Sequence, residues 1–205
     1  MIEMIGEKMM TLNQNMLFSS FLYLFLLNSS LILTLNESQQ FILTCVIAMV
    51  LLIIYFKTNK HNTLNQESIS IKKIGFIIVV GLLVSLAIQF FIILITNQLF
   101  SVEIVTNQIP TKKSVIFLLT TIFLNPIMEE LVFRFSFVNW VGQKSSFGIG
   151  VVISSLLFML MHTSGNLMIY FFLGVIFSIC YKRSGSIVCS MIVHGILNAL
   201  VLWVN

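Results

Sequence analysis

The chain has 205 residues, 58% of them hydrophobic and only 9% charged, against the roughly 25% charged residues usual in a soluble domain. A water-soluble fold is excluded and an integral membrane protein is implied. The net charge of +4 is spread over connections rather than gathered on one basic face, so no nucleic-acid interface is expected, and Lys and Arg excess in cytoplasmic loops accounts for it.

Residues 1–15 contain Glu3, Glu7 and Lys8 and so lack a clearly basic start. The apolar run over 16–35 is too long for a signal-peptide core and has no A-x-A site. It reads as a first transmembrane helix rather than a cleaved signal. Further apolar segments follow at 41–56, 74–99, 115–138, 147–163, 167–181 and 186–204. At about 20 residues per span, these predict an all-α, polytopic transmembrane helix bundle of about seven spans. It divides into N-terminal transmembrane helices over 1–110 and a four-helix core over 111–205. Cys45, Cys180 and Cys189 fall in or beside apolar segments without CxxC spacing, so neither a disulfide framework nor a cysteine zinc site is expected.

Lys57, Lys60, Lys72 and Lys73 in the 57–73 loop, Lys144 in the 139–146 loop and Lys182-Arg183 set the orientation. With these connections cytoplasmic, the N-terminus is cytoplasmic too. The 100–114 loop runs against the rule, since it carries Lys112 and Lys113 against Glu103 yet must be external. Glu129 lies ten residues before Asn139, and His194 eleven after Arg183, which places both roughly 15 Å below the cytoplasmic edge. His162 reaches that depth only if its helix starts near Gly150, too short a helix to span, with a break at Thr163-Ser164-Gly165-Asn166 inside the membrane. The alternative is a full span from 147 with His162 at the outer surface.

Three polar groups stand in these apolar segments. Glu129, Glu130 and Arg134 share the fourth, although a charge at mid-bilayer costs about 2.5–3.5 kcal/mol or more. Glu130 and Arg134 are four apart and can pair, while Glu129 is turned about 100° from Glu130 and is free of that arginine. Pro126 can bend the helix just upstream. Phe158 and His162, and then His194 and Asn198, repeat the four-residue spacing on later helices. Taken singly, a membrane His or Asn is commonly interhelical hydrogen-bond glue. The chain has no aspartate, which excludes a two-aspartate protease and a Ser-His-Asp triad. It also lacks H-E-x-x-H, and no serine has the glycine spacing of a nucleophile motif. A carboxylate and imidazoles acting on water remain, with His194 and Asn198 on one face as donors to an oxyanion.

In this order the three motifs resemble the CPBP family of CAAX-prenyl endopeptidase and bacteriocin-processing (Abi) membrane proteins. Glu129-Glu130…Arg134 matches its E-E-x-x-x-R, Phe158…His162 its F-x-x-x-H, and His194…Asn198 its H-x-x-x-[ND]. Pro126 and the Ser184-Gly185-Ser186 turn also resemble the family pattern, and the resemblance covers roughly 112–205. It implies that the C-terminal core is catalytic and that the protein is an intramembrane glutamic endopeptidase. Glu129 and His162 would activate water. His194 and Asn198 would form the oxyanion hole, and Glu130, Arg134 and Phe158 would hold and tune the site. No cofactor and no metal are implied. Phe135 departs from the pattern, which usually has a small residue there. The implied substrate is a peptide or lipid-associated precursor such as a bacteriocin, leader or signalling peptide, in a bacterial plasma membrane.

Three competing readings stand beside this one. A non-enzymatic bacteriocin-immunity or scaffold protein need not keep Glu129, His162, His194 and Asn198 together, and all four are present. A zinc protease would use Glu129, His162 and His194 as ligands. A proton-relaying transporter is disfavoured by the lack of repeat symmetry.

Overall fold

The computed structural model describes residues 18–26, 33–59, 70–100, 114–162 and 165–204. Every regular element among them is helical. We label these α1 (18–26), α2 (Glu37–Asn59), α3 (Ile71–Phe100), α4 (Val115–Lys144), α5 (Phe147–Leu160), α6 (Leu167–Ser184) and α7 (Ile187–Val204). Five of them, α2, α3, α4, α6 and α7, contain a stretch long and apolar enough to cross a membrane. The protein is an all-α membrane helix bundle. Phe56, Phe76, Leu83, Phe90 and Trp203 stand exposed on its outside, where acyl chains rather than water are the matching solvent.

Local chemistry sets the helix boundaries. Asn36 and Gln39 cap α2 reciprocally: the Gln39 N–H donates to Asn36 Oδ1 at 2.9 Å and the Asn36 N–H to Gln39 Oε1 at 3.1 Å. Ser114 caps α4 through the Phe117 N–H, and its hydroxyl also donates to Glu37 of α2. Ser146 caps α5 and Asn166 caps α6. Gly185, at φ 63°, ends α6 in the left-handed conformation that glycine adopts without strain.

Two boundaries differ from expectation. The 139–146 connection is not a loop: α4 stays helical through Lys144, and only Ser145 and Ser146 separate it from α5. Helix α5 starts at 147 yet stops at Leu160, 14 residues in all, or about 21 Å against a hydrocarbon core of about 30 Å. His162 therefore sits just past the end of a short helix, its N–H donating to the Met159 carbonyl. Residues 16–17 and 27–32 of the first expected span lie outside the described residues. So do Lys60 and Glu67 in the 57–73 loop, Glu103, Lys112 and Lys113, and Thr163-Ser164.

One core joins the two parts of the chain. Tyr23 and Leu26 of α1 and Ile47 and Leu51 of α2 are buried with Met128, Phe133, Phe158, Phe177 and Val193 of the later helices. Small residues set the closest helix approaches. A Cβ on Gly150 would lie 2.6 Å from the Val138 carbonyl oxygen, and one on Gly195 would lie 2.7 Å from that of Ile122.

Candidate active site

Helix α4 carries the acidic pair at its midpoint and is irregular on both sides of it. Over Thr120–Leu124 and Glu130–Val138 the turns widen toward i→i+5 hydrogen bonding, a distortion frequent at functional sites. The cause of the first is visible in the sequence. The Asn125 N–H reaches back five residues to the Thr120 carbonyl. The next residue, Pro126, has no N–H to offer. The Thr121 carbonyl thus loses both backbone donors that could reach it. Inside a membrane such an orphan is costly, and Asn198 Nδ2 of α7 donates to it at 2.9 Å. In the second irregular stretch, Ser154 of α5 donates to the Phe133 carbonyl at 2.8 Å.

Glu130 and Arg134 pair as their spacing predicts, Arg134 Nε lying 3.4 Å from Glu130 Oε2 with both side chains wholly buried. That contact is an ion pair rather than a hydrogen bond, and none of the three guanidinium nitrogens has a hydrogen-bond partner among the described residues. Aromatic faces surround the charge instead: its centre is 4.3 Å from the Phe158 ring centroid, 5.2 Å from that of Phe177 and 5.8 Å from that of Phe133.

The second partner of Glu130 is His194, whose Nδ1 is 3.0 Å from Glu130 Oε1. The other ring nitrogen of His194, Nε2, is 3.6 Å from Glu129 Oε2. The two carboxylates thus flank one imidazole. That imidazole is stacked on Phe177 at 4.7 Å and 21°. The sequence left Glu129 to be matched with His162. In the structure the nearest imidazole contact described for Glu129 is His194.

His162 is held differently. Its Nδ1 is 2.7 Å from the Phe158 carbonyl oxygen, which only accepts. Nδ1 must therefore carry the proton, and a neutral ring then has its lone pair at Nε2. Its plane lies on Tyr170 at 3.8 Å and 22°. The Phe158 ring stands between the two histidines, 4.6 Å from His162 and 5.9 Å from His194. Glu129, Glu130, Arg134, Phe158, His162 and His194 therefore form one connected cluster. The hydrogen bond described for Asn198 is to the α4 backbone two turns before Glu129. An apolar cavity of about 440 Å³ opens beside that crossing, lined by Ile122, Pro126, Ile127, Met191, Gly195 and others; none of the four expected catalytic side chains lines it.

Three residues of this cluster are absent from the sequence reading. Tyr170 and Phe177 stack on the two histidines, and the buried Tyr23 of α1 meets Phe133 edge-on at 5.8 Å. A tyrosine in an apolar membrane segment is a polar group that needs a partner, which is the only signal the sequence holds for Tyr23. Phe135 packs edge-on against Tyr55 of α2 at 4.8 Å, so its bulk serves the contact with α2. Among the described residues, no three His, Cys, Asp or Glu side chains are gathered as a metal site requires.

Residues 111–200 match the family model described as type II CAAX prenyl endopeptidase Rce1-like. The chain carries an Rce1-like core. That core begins just before α4 and takes in the acidic pair, both membrane histidines and Asn198, while α1, α2 and α3 precede it. The Rce1-like family is a family of proteases, and the match supports a peptidase embedded in the bilayer and acting on a peptide substrate. No curated protein and no solved structure matches the chain significantly.

Proposed function

We propose that the protein is an intramembrane glutamic endopeptidase in which Glu129 is the general base. One observation carries this reading: Glu130 has two close charged or imidazole partners, Arg134 Nε at 3.4 Å and His194 Nδ1 at 3.0 Å, whereas the ionic contact described for Glu129 is His194 Nε2 alone, at 3.6 Å, and Glu129 Oε2, like Glu130 Oε2, is buried without a hydrogen-bond partner among the described residues. An acceptor left open inside a membrane protein is expensive and is what a base for water requires. Glu129 takes a proton from water, and His162 Nε2, with its tautomer set by the Phe158 carbonyl, accepts the water's second hydrogen bond. The hydroxide oxygen bonds to the peptide carbon. The C–N bond breaks and the proton passes to the leaving amine. His194 and the second Asn198 N–H stabilise the oxyanion. Separations in a substrate-free site are commonly longer than in the reacting complex.

For the substrate we favour a peptide or lipid-associated precursor, such as a bacteriocin, leader or signalling peptide. The chain is rich in Ile and Asn and has nine lysines to two arginines, in keeping with an AT-rich bacterial genome, and the lysine-bearing connections favour a plasma-membrane protein with a cytoplasmic N-terminus. The catalytic unit is 111–205, with 1–110 as its helical surround. The test is a comparison of new peptide termini in membranes of cells making the wild type or Glu129→Gln. Cleavage products should appear with the wild type and vanish with the variant at equal protein levels. Products that persist with Glu129→Gln would refute the glutamic mechanism, and no products with either would favour the immunity or scaffold role.

A zinc-dependent reading gains from one observation. Metal-ligating histidines donate their second ring N–H to a carboxylate or carbonyl, and here His194 Nδ1 faces Glu130 and His162 Nδ1 faces the Phe158 carbonyl. The spacing of the donors is against it. We expect activity to survive a strong chelator. Loss with EDTA, restored by stoichiometric Zn²⁺, would establish the zinc mechanism instead.

A further inference from the structure

We infer that the corner where α4, α5 and α6 meet at one membrane edge binds an anionic phospholipid, with Lys144 and Lys182 on its phosphate and the outer face of α5 along its acyl chain. None of these residues belongs to the catalytic cluster, so the site is independent of the peptidase reading.

Charge is sorted to one edge of the bundle. Lys57 lies in the last turn of α2, Lys72 and Lys73 open α3, Lys144 ends α4, and Lys182 and Arg183 lie in the last turn of α6. Contacts between the helices put these six cations at the same edge. Tyr55 of α2 meets Phe135 of α4 at 4.8 Å. A Cβ on Gly81 of α3 would lie 2.7 Å from Cys180 Sγ of α6, and Asn139 Nδ2 of α4 donates to the Tyr181 hydroxyl of α6 at 3.0 Å. Among the described residues the ion pairs all involve Arg134 or His194, so none of the six cations has an acidic partner there. Glu37, the one described acid besides Glu129 and Glu130, starts α2 at the opposite edge, where it accepts from the Ser114 hydroxyl.

Two of the six are held in place. Lys144 Nζ lies 4.3 Å from the Trp140 ring centroid, and Lys182 Nζ reaches across from α6 to within 5.2 Å of that of Phe147, the first residue of α5. Both lysines are exposed. An aromatic face takes one side of an ammonium, and the group has three N–H donors, so its outward side is left for an anion. Only Ser145 and Ser146 separate α4 from α5, which puts the two amines beside one tight turn. A tryptophan next to lysines at the end of a membrane helix sits at headgroup depth, and cations between helices at that depth suit a lipid phosphate. Below the turn, Ile149, Val152, Leu156 and Leu160 are all exposed, and their spacing makes one apolar stripe along α5. The stripe runs most of the 14 residues of α5, a helix about 21 Å long. A free phosphate would use the amines alone. A phospholipid uses the amines and the stripe together.

Trp140 can report on this corner, since Trp203→Phe leaves it the only tryptophan in the chain. The full-length Trp203→Phe protein would be placed in phosphatidylcholine nanodiscs with a minor share of phosphatidylglycerol brominated in its acyl chains, which quenches a tryptophan it touches. Brominated phosphatidylcholine at the same share is the reference. Trp140 should be quenched more strongly by the anionic lipid, and equal quenching by the two would overturn the site. Lys144→Gln/Lys182→Gln in the same background should lower the apparent affinity for phosphatidylglycerol roughly 10–30-fold, at about tenfold per 1.4 kcal/mol and about 1 kcal/mol for each lysine near the surface. Lys72→Gln/Lys73→Gln removes the same charge from the same edge and should leave most of the preference intact. Equal losses in the two double variants would mean a diffuse basic field rather than a site. Inorganic phosphate should relieve the quenching no more than chloride of equal ionic strength; greater relief would make the occupant a free anion and overturn the lipid. Should Lys144→Gln/Lys182→Gln fail to fold, salt decides with the lysines intact: the preference for phosphatidylglycerol should weaken as ionic strength rises, and a preference indifferent to salt would overturn the contact with phosphate.

Discussion

Replacing Arg134 by methionine tests the electrostatic frame of the site most directly. The side chain is 0% exposed, as is Glu130, and among the described residues it supplies the only positive charge permanently present beside the acidic pair. Methionine keeps an unbranched apolar stem of similar reach and removes the charge. What remains is a buried Glu130 with His194 Nδ1 as its hydrogen-bond partner. Breaking a buried pair by removing one partner costs about 3–5 kcal/mol. The cation–π contacts with Phe158, Phe177 and Phe133 add about 2 kcal/mol for a desolvated cation, offset in part by the thioether packing on the same rings. For a chain of this length about 1 kcal/mol moves the unfolding midpoint by 2–4 °C, so a fall of roughly 6–20 °C is expected in detergent. Thermal unfolding followed by size-exclusion peak height measures it. Arg134→Met/Glu130→Gln should recover much of the loss, since removing both charges can be close to neutral. A single variant as stable as the wild type, or a double variant worse than the single, would refute the pairing as the source of stability.

Asn198→Ala should destabilise by about 1–3 kcal/mol, because it leaves the Thr121 carbonyl without a donor. Pro126→Ala restores a backbone N–H to that stretch of α4, so the same Asn198→Ala change should cost distinctly less in the Pro126→Ala background. Equal costs in a double-mutant cycle would dismiss the orphaned-carbonyl explanation. Gly195→Ala should lower the unfolding midpoint by an amount equivalent to about 1–3 kcal/mol, since its Cβ would meet the Ile122 carbonyl oxygen at 2.7 Å and backbone cannot rotate away. A neutral Gly195→Ala would mean that α4 and α7 are looser than their crossing shows.

Much of the architecture was legible in the residues alone. A membrane helix must be about 20 apolar residues long, so hydropathy locates the spans without knowledge of packing. Glu129-Glu130 and Arg134 announce themselves because charge in hydrocarbon is costly enough to demand a reason, and the four-residue spacing puts Glu130 and Arg134 on one face before any fold is known. Helix ends depend on weaker, local effects, which is why α4 runs on through Lys144 past the expected loop and α5 ends at Leu160. Partners between helices were beyond reach. Periodicity tells which face a residue occupies on its own helix, not which helix lies opposite. So only the tertiary structure set His194 between the two glutamates, turned Asn198 onto the carbonyl that Pro126 orphans, and brought Tyr23 of α1 against Phe133. Those contacts join residues 64 to 110 positions apart in the chain, and they exist because the helices pack through small residues and aromatic rings whose fit is a property of the assembled bundle.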